Sequence, residues 1–261
     1  MKDDESIKEK VIRENIKLFD ELVDVYDAEH GYLRGNYFDK ITDKDIELIL
    51  SLVSGKDVLD VGGGTGFPSF KFLEKGYNVD VIDISKPMLD KFQQKLKPGM
   101  RANLICGNAE DELRKLSDKQ YDVVMCSSFL HHIYNHEEVL SQMIPLVKKE
   151  GVFYVSNEPF KALNLFHYLD AFINKIMHNR AGFALAIKRI VFSHSTSFAD
   201  YHILHKKGLP LDGILSQLRN NGFKIVDSEK YSLSHYKIFY LINKYFFHFF
   251  NGWFKIIARK V

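Results

Sequence analysis

The stretch Val58-Leu59-Asp60-Val61-Gly62-Gly63-Gly64-Thr65-Gly66-Phe67-Pro68 decides the fold, because a short apolar run passes there into glycines and then into a helix. A strand that ends in such a turn presents bare backbone at the edge of a sheet. Gly62, Gly64 and Gly66 let the main chain approach a ligand closely. The carboxylate of Asp60 only accepts hydrogen bonds, so it favours a ligand with ammonium or N–H donors over a phosphate. The stretch therefore predicts a ligand site.

A second carboxylate, Asp83, ends the next predicted strand, 78–83, about 20 residues beyond the glycines, where dinucleotide-binding folds hold a ribose hydroxyl pair. The dinucleotide pattern G-x-G-x-x-G does not fit, since its last glycine would have to be Phe67 or Ser69. A nicotinamide-dependent oxidoreductase is therefore the weaker alternative.

The glycine turn and Asp83 together resemble motif I and the ribose-binding acidic residue of the class I S-adenosylmethionine (SAM)-dependent methyltransferases. The resemblance extends over residues 56–157 and 209–230 and the last strand. It implies SAM as the cofactor and S-adenosylhomocysteine (SAH) as its product. The cofactor-binding residues that it implies are Tyr26, Asp60, Gly62, Gly64, Gly66, Asp83, Ile84, Asn108, Ala109 and Ser127.

Apolar runs alternate with helical stretches from Lys56 to Val155, which is typical of βαβ units and a parallel sheet. Together with this alternation, the resemblance implies a doubly wound, Rossmann-like α/β fold with a mostly parallel seven-stranded sheet, an antiparallel last strand, N-terminal helices and a helical lid insertion. The first predicted strand ends at the glycines, and six further strands are predicted at 78–83, 102–106, 121–127, 152–156, 223–227 and 253–260. A turn is predicted at 148–151, and N-terminal helices are predicted at 4–25 and 43–53.

The domain organisation is predicted as one methyltransferase domain over 1–261. Residues 1–55 form an N-terminal helical cap, and 158–207 and 232–251 are lid or substrate insertions. In the resembling family such an N-terminal segment often folds over the cofactor. Tyr26, Tyr32 and Tyr37 would then line the methionine end of the site, with simple packing as the alternative.

Asn108 departs from the family pattern. The family commonly has an acidic residue there, whose side chain holds the adenine amino group. The amide oxygen of Asn108 can still accept that hydrogen bond.

Three titratable residues are candidates for catalysis. His131 and His132 follow the fourth predicted strand, and a neutral histidine near a methyl donor can act as a general base, since its ordinary pKa is about 6.5. The alternative is that both histidines cap and pack a helix. Glu158 follows the fifth predicted strand, where ligands of open α/β sheets bind, and is a candidate substrate contact.

Composition excludes several classes of function. The net charge is only +2, from 36 basic and 34 acidic residues that are interspersed, which argues against nucleic acid as a partner. Cys106 and Cys126 fit buried free thiols in a reducing compartment, and no spacing suggests a metal site. The acidic amino terminus and the lack of a long uncharged apolar run predict a cytoplasmic protein without a membrane span.

The acceptor is predicted from the two insertions, which are dense in Phe, Tyr, Leu and Ile. They would cover an apolar pocket or lie on a membrane surface, and mutual packing is the alternative. The resulting hypothesis is methyl transfer to a small-molecule acceptor with an apolar part, either lipid-like or polyketide-like. The rivals are the oxidoreductase and a SAM-binding protein without catalysis.

Overall fold

The computed structural model describes residues 2–29, 37–159, 198–199, 201–204, 206, 208–231 and 252–261. The helices are α1 (Lys2–Glu29), α2 (Tyr37–Leu52), α3 (Ser69–Leu73), α4 (Lys86–Lys95), α5 (Ala109–Lys115), α6 (His136–Met143), α7 (Tyr201–Leu204) and α8 (Leu211–Asn220). The strands are β1 (Asp57–Val61), β2 (Asn78–Asp83), β3 (Arg101–Cys106), β4 (Tyr121–Ser127), β5 (Val147–Pro159), β6 (Phe223–Tyr231) and β7 (Trp253–Lys260). Tyr32, most of the predicted insertion 158–207 and all of the predicted insertion 232–251 lie outside the described residues, so the division into cap, core and insertions stays a prediction.

The seven strands form one sheet in the order β3-β2-β1-β4-β5-β7-β6. Neighbours among β1 to β5 are parallel, whereas β7 runs antiparallel to both β5 and β6. The predicted mostly parallel sheet with an antiparallel last strand is therefore confirmed. In such a sheet the carboxyl ends of the parallel strands share one edge, where ligands bind.

Strand β5 differs from its prediction, because the expected turn at 148–151 lies within it. Glu150 has φ +64°, and the pairing with β4 shifts register between Tyr121 and Val123. Residues 148–151 thus form an irregularity inside β5, and the predicted strand boundary at this turn is wrong.

Apolar side chains pack on both faces of the sheet. In β4, Val123 and Met125 belong to the core on one face, and Val124 and Cys126 belong to the core on the other. This alternation follows from the two-residue period of a strand. Both cysteines are free thiols, but only Cys126 is buried; Cys106 is exposed, so the expectation that both are buried was wrong for Cys106.

Helix α1 lies across the carboxyl edge of the sheet. Two of its own apolar side chains, Val11 and Leu22, are buried. Two polar contacts join α1 to α4. Ser85 Oγ, at the start of α4, donates to an Asp20 carboxylate oxygen at 2.6 Å. Lys91 Nζ, within α4, donates to the carbonyl of Val23 at 2.7 Å. The amino-terminal helix therefore forms a wall above the glycine turn.

Candidate active site

The glycine turn after β1 adopts conformations that L-residues avoid, with φ +79° at Gly62 and +51° at Gly64. A Cβ atom at Gly62 would lie 2.2 Å from Phe129 Cδ2. A Cβ atom at Gly64 would meet nothing closer than a carboxylate oxygen of Asp83 at 3.9 Å. Gly62 is therefore required for packing, whereas Gly64 leaves open space in which a ligand can approach the main chain.

A cavity opens above this turn, between the carboxyl ends of the central strands and α1. The residues predicted from sequence that line it are Tyr26, Gly62, Gly64, Asp83, Ile84, Asn108, Ala109, Ser127 and His132. Four other predicted residues, Asp60, Gly66, His131 and Glu158, lie outside the lining. The structure thus brings most of the predicted cofactor residues and one predicted catalytic residue into a single space.

Asp83 lies at the end of β2 with its carboxylate beside the glycine turn. The main-chain N–H of Gly64 donates to Oδ2 at 2.8 Å, and that of Ser85 donates to Oδ1 at 2.9 Å. Burial raises the pKa of Asp83 to about 6, although these hydrogen bonds oppose the shift. The carboxylate is thus fixed in place and mostly ionised at neutral pH.

Asp60 lies beneath the turn, with no exposed surface. Its Oδ2 accepts a hydrogen bond from Ser69 Oγ at 2.6 Å, and its Oδ1 has no partner among the described residues. Burial raises the pKa of this carboxyl to about 7. This position does not support direct contact with an ammonium group, so a ligand contact by Asp60 stays a prediction.

The start of α5 forms one end of the cavity. Asn108 Oδ1 accepts a hydrogen bond from the main-chain N–H of Glu110 at 3.0 Å, so the predicted acceptor atom of Asn108 serves as a helix cap. Glu110 is buried, lines the cavity and pairs with Lys8 of α1. Glu110 and Lys8 are site residues that the sequence reasoning missed.

Glu158 is fully buried and holds the turn that carries the two histidines. One carboxylate oxygen accepts the N–H groups of Phe129 and Leu130 at 2.7 and 2.9 Å. The other oxygen contacts His131 Nδ1 at 2.8 Å. Because a carboxylate oxygen can only accept a hydrogen bond, His131 Nδ1 donates the hydrogen bond to Glu158. Their placement supports a structural role, and a direct catalytic role for either stays a prediction.

His132 is the histidine that faces the cavity. Its Nδ1 lies 2.6 Å from the carbonyl oxygen of Ala199, and its ring lies 4.0 Å from that of His131. From α1, Asn15 Nδ2 donates to the main-chain carbonyl of His132 at 2.9 Å, and the Phe19 ring meets the imidazole edge to face at 5.2 Å. Both the ring and the backbone of His132 are thus supported.

Helix α1 contributes residues that no local sequence pattern assigns to a site. Asp27 lines the cavity, accepts a hydrogen bond from Thr65 Oγ1 at 2.6 Å and pairs with Lys95 at 2.8 Å. Asn15 is buried on the same helix, and its Oδ1 has no partner within the described part of the chain. In the sequence, the one signal that could have indicated a site on α1 was a polar residue, Asn15, on an otherwise apolar helix face.

The described lining of the cavity holds three carboxylates, from Asp27, Asp83 and Glu110. Two of them pair with lysines, Glu110 with Lys8 and Asp27 with Lys95. Within residues 2–29, 37–159 and the other described ranges, no group of three potential metal ligands occurs. None of the helices described is long and apolar enough to cross a bilayer.

Comparisons with known proteins agree with this geometry. Residues 59–155 match a family model described as a methyltransferase domain. The chain is 30% identical over 105 residues to a ubiquinone biosynthesis O-methyltransferase of Rickettsia bellii, a match that covers 40% of this chain and 42% of that protein. It is 36% identical over 108 residues to the protein of the same name from Shewanella pealeana, covering 40% of this chain and 44% of that protein. The chain thus spans less than half the length of these relatives.

A solved structure of magnesium protoporphyrin IX methyltransferase from Synechocystis PCC 6803 with bound SAH is similar in fold. The TM-score is 0.56 at 16% identity, and the match covers 95% of this chain and all of that one. At this identity the likeness concerns the fold alone. Residues 59–155 are thus similar to a methyltransferase domain, and the sheet of the described residues has a fold similar to that of this solved methyltransferase.

Proposed function

We propose that the chain is a SAM-dependent methyltransferase that transfers a methyl group to a small-molecule acceptor with an apolar part. The observation that carries the proposal is the convergence of three features in one cavity: the bare backbone of Gly64, the half-buried carboxylate of Asp83 and the imidazole of His132. The methyltransferase domain and the names of the relatives support the same reaction class.

The residues present fit SAM. Asp83 would accept hydrogen bonds from the ribose hydroxyls, the main chain at Gly64 would approach the methionine part, and the residues from Asn108 to Glu110 would surround the adenine. When bound, SAM supplies an electrophilic methyl group.

His132 is the residue that would take a proton from the acceptor. The carbonyl of Ala199 can only accept, so Nδ1 of His132 carries a proton, and in the neutral form of the ring Nε2 would carry the lone pair. A neutral imidazole in this tautomer can receive the proton of an acceptor hydroxyl at Nε2. His131, by contrast, is held by Glu158 outside the cavity lining.

We infer an oxygen as the acceptor atom, because the relatives above are named O-methyltransferases and a hydroxyl is a group from which a histidine can remove a proton. The walls beside His132 include Val11, Ile12, Phe19 and Ile133, which suit an apolar part of the acceptor. A lipid-like or polyketide-like acceptor, peripheral membrane contact and a cytoplasmic location remain predictions from the sequence.

The test combines binding and transfer. Calorimetry with SAM, SAH and NADH should show binding of the first two only, and Asp83→Ala should weaken SAM binding where the exposed Asp118→Ala does not. Protein incubated with methyl-labelled SAM and a lipid extract should then transfer label to an extractable small molecule that mass spectrometry identifies. Binding of NADH in place of SAM would refute the proposal. SAM binding without transfer to any extract fraction would favour the non-catalytic alternative.

A further inference from the structure

Asn157 lies where β5 departs from regular strand geometry, at the carboxyl edge of the sheet. Val155 pairs with Ile256 of β7, but Glu158 pairs with Phe254, so β5 advances three residues where β7 advances two. Such a bulge changes the direction of a side chain. Asn157 also has φ +58°, a left-handed conformation that asparagine tolerates better than most other residues. The bulge thus places a polar residue in the wall of the cavity.

Ser128, which directly follows β4, has the same left-handed conformation, with φ +52°. Its Oγ donates to the main-chain carbonyl of Asn157 at 3.3 Å and accepts a hydrogen bond from the Asn157 amide nitrogen. Both residues line the cavity. Left-handed conformations are costly for residues other than glycine, and they cluster at ligand sites. Ser128 and Asn157 therefore form one joined part of the cavity wall, at the ends of two neighbouring strands.

The amide oxygen of Asn157 is buried without a partner. Asn157 is 5% exposed, and its main-chain N–H donates to Tyr231 Oη at 2.9 Å. The hydroxyl proton of Ser128 is directed to the carbonyl of Asn157, so the amide group turns its nitrogen, and not its oxygen, towards Ser128. Oδ1 has no hydrogen-bond partner within the described part of the chain. Because an unpaired buried acceptor is unfavourable, a ligand that brings a hydrogen-bond donor to Oδ1 gains affinity.

The strand order places Asn157 away from the groups that would hold SAM. Gly64 follows β1 and Asp83 ends β2, whereas β4 lies between β1 and β5. Neighbouring strands are about 4.8 Å apart, so the ends of β1 and β5 are about 10 Å apart. His132, the proposed base, follows β4. Asn157 is therefore on the side of the cavity that the proposed function leaves to the methyl acceptor.

We propose that Asn157 determines acceptor specificity, because its Oδ1 accepts a hydrogen bond from a second hydroxyl of the methyl acceptor. The inference rests on the proposed function. The reacting hydroxyl has one proton, which goes to His132, so the donor to Oδ1 is another O–H of the same molecule. The acceptor class is thus a compound with two hydroxyls and an apolar part. A compound with a single hydroxyl leaves Oδ1 unpaired and binds less tightly.

The test compares the binding of matched phenols to the full chain saturated with SAH, by isothermal calorimetry. The probes are hexylresorcinol and hexylcatechol, which present two hydroxyls at different spacings, and hexylphenol, which has one. We expect at least one diol to bind the wild-type protein about three- to tenfold more tightly than hexylphenol, which is the gain from one additional hydrogen bond.

Two variants separate the amide oxygen from the backbone conformation. Asn157→Gly suits a left-handed backbone but lacks the oxygen, so the preference for the diol should disappear while the affinity for hexylphenol stays within about twofold of wild type. Asn157→Asp keeps an acceptor oxygen and should keep the preference. The matched control is Glu150→Gly, because Glu150 is also left-handed and on β5, with φ +64°, but is exposed and does not line the cavity. This control should retain the wild-type preference.

Each of three results would overturn the inference. The first is a wild-type protein that binds no diol more tightly than hexylphenol, or that binds none of the three compounds. The second is an Asn157→Gly protein that keeps the preference. The third is a loss of SAH affinity by about tenfold in Asn157→Gly, which would place Oδ1 against the cofactor. If Asn157→Gly does not fold, the wild-type preference and Asn157→Ala decide the question.

The inference and the proposed function fail separately. A wild-type protein that binds SAH and transfers methyl groups, but shows no preference for a diol, contradicts only the role of Asn157. A wild-type protein that binds neither SAM nor SAH contradicts the proposed function itself.

Discussion

Replacing Asp60 with Asn should stabilise the protein at alkaline pH. The buried carboxyl has a pKa of about 7 in place of 3.8, because burial disfavours its charged form. A carboxyl with a raised native pKa binds its proton more tightly in the folded state, so the free energy of unfolding falls as the pH rises from about 4 to about 7. Each pKa unit corresponds to about 1.4 kcal/mol, which places the cost of ionising Asp60 at about 4 kcal/mol.

Asp60→Asn removes this cost but adds an NH₂ group in the position of an oxygen. The Ser69 hydroxyl can still donate to the amide oxygen, whereas the new NH₂ group would occupy the place of Oδ1, which has no partner among the described residues. An unsatisfied buried donor costs about 1–3 kcal/mol. The net gain expected at pH 8 is therefore about 1–3 kcal/mol, and at pH 5, where Asp60 is protonated, the gain should disappear.

The assay is urea unfolding of wild type, Asp60→Asn and the exposed control Asp118→Asn at pH 5 and pH 8, with equal m-values required for the comparison. Calorimetry should show SAM affinity unchanged within about twofold, since Asp60 does not line the cavity. A variant less stable than wild type at pH 8, or a difference independent of pH, would refute the burial argument. A tenfold loss of SAM affinity would instead restore Asp60 as a ligand contact.

Three further predictions concern the cavity and its surroundings. Asp83→Ala should weaken SAM binding by about ten- to a hundredfold, as expected for lost hydrogen bonds to a charged group worth about 1.5–3 kcal/mol, and an unchanged dissociation constant by calorimetry would contradict it. His132→Ala should lower kcat by about 10²–10⁴ with SAM affinity retained, whereas near-normal turnover would mean that no side-chain base is needed. Burial lowers the pKa of His202 to about 4, so the free energy of unfolding should decrease as the pH falls from about 6.5 towards 4. In urea unfolding, His202→Gln should show a smaller decrease over this pH range than wild type. An equal decrease in the variant would mean that other groups cause the pH dependence.

Sequence reasoning succeeded where the information is local. The glycine turn and the strand that ends in Asp83 each occupy a few consecutive residues, and strand ends in a parallel sheet necessarily meet at one edge. The antiparallel β7 was predicted from the resemblance of residues 253–260 to the last strand of the methyltransferase family, and its bounds were predicted correctly.

Contacts between distant segments decide the parts that sequence did not reveal. Glu158 was predicted to follow the fifth strand, but it lies within β5 near the carboxyl end, and its carboxylate accepts the N–H groups of the histidine turn, which no spacing can indicate. Lys8 and Asp27 reach the cavity only because α1 crosses the sheet edge, so their partners Glu110 and Thr65 are 102 and 38 residues away in the chain. The irregularity in β5 likewise depends on its pairing with β4.

The position of β7 has a consequence for biosynthesis. This strand is inserted between β5 and β6, and Phe254, Ile256 and Ile257 within it are fully buried. The sheet therefore has a gap at an interior position until the residues up to Lys260 have left the ribosome, and β6 has no strand beside it before then. Folding of the whole sheet must finish after translation of this strand, and a ribosome stalled a few codons before it would display an open sheet edge to chaperones.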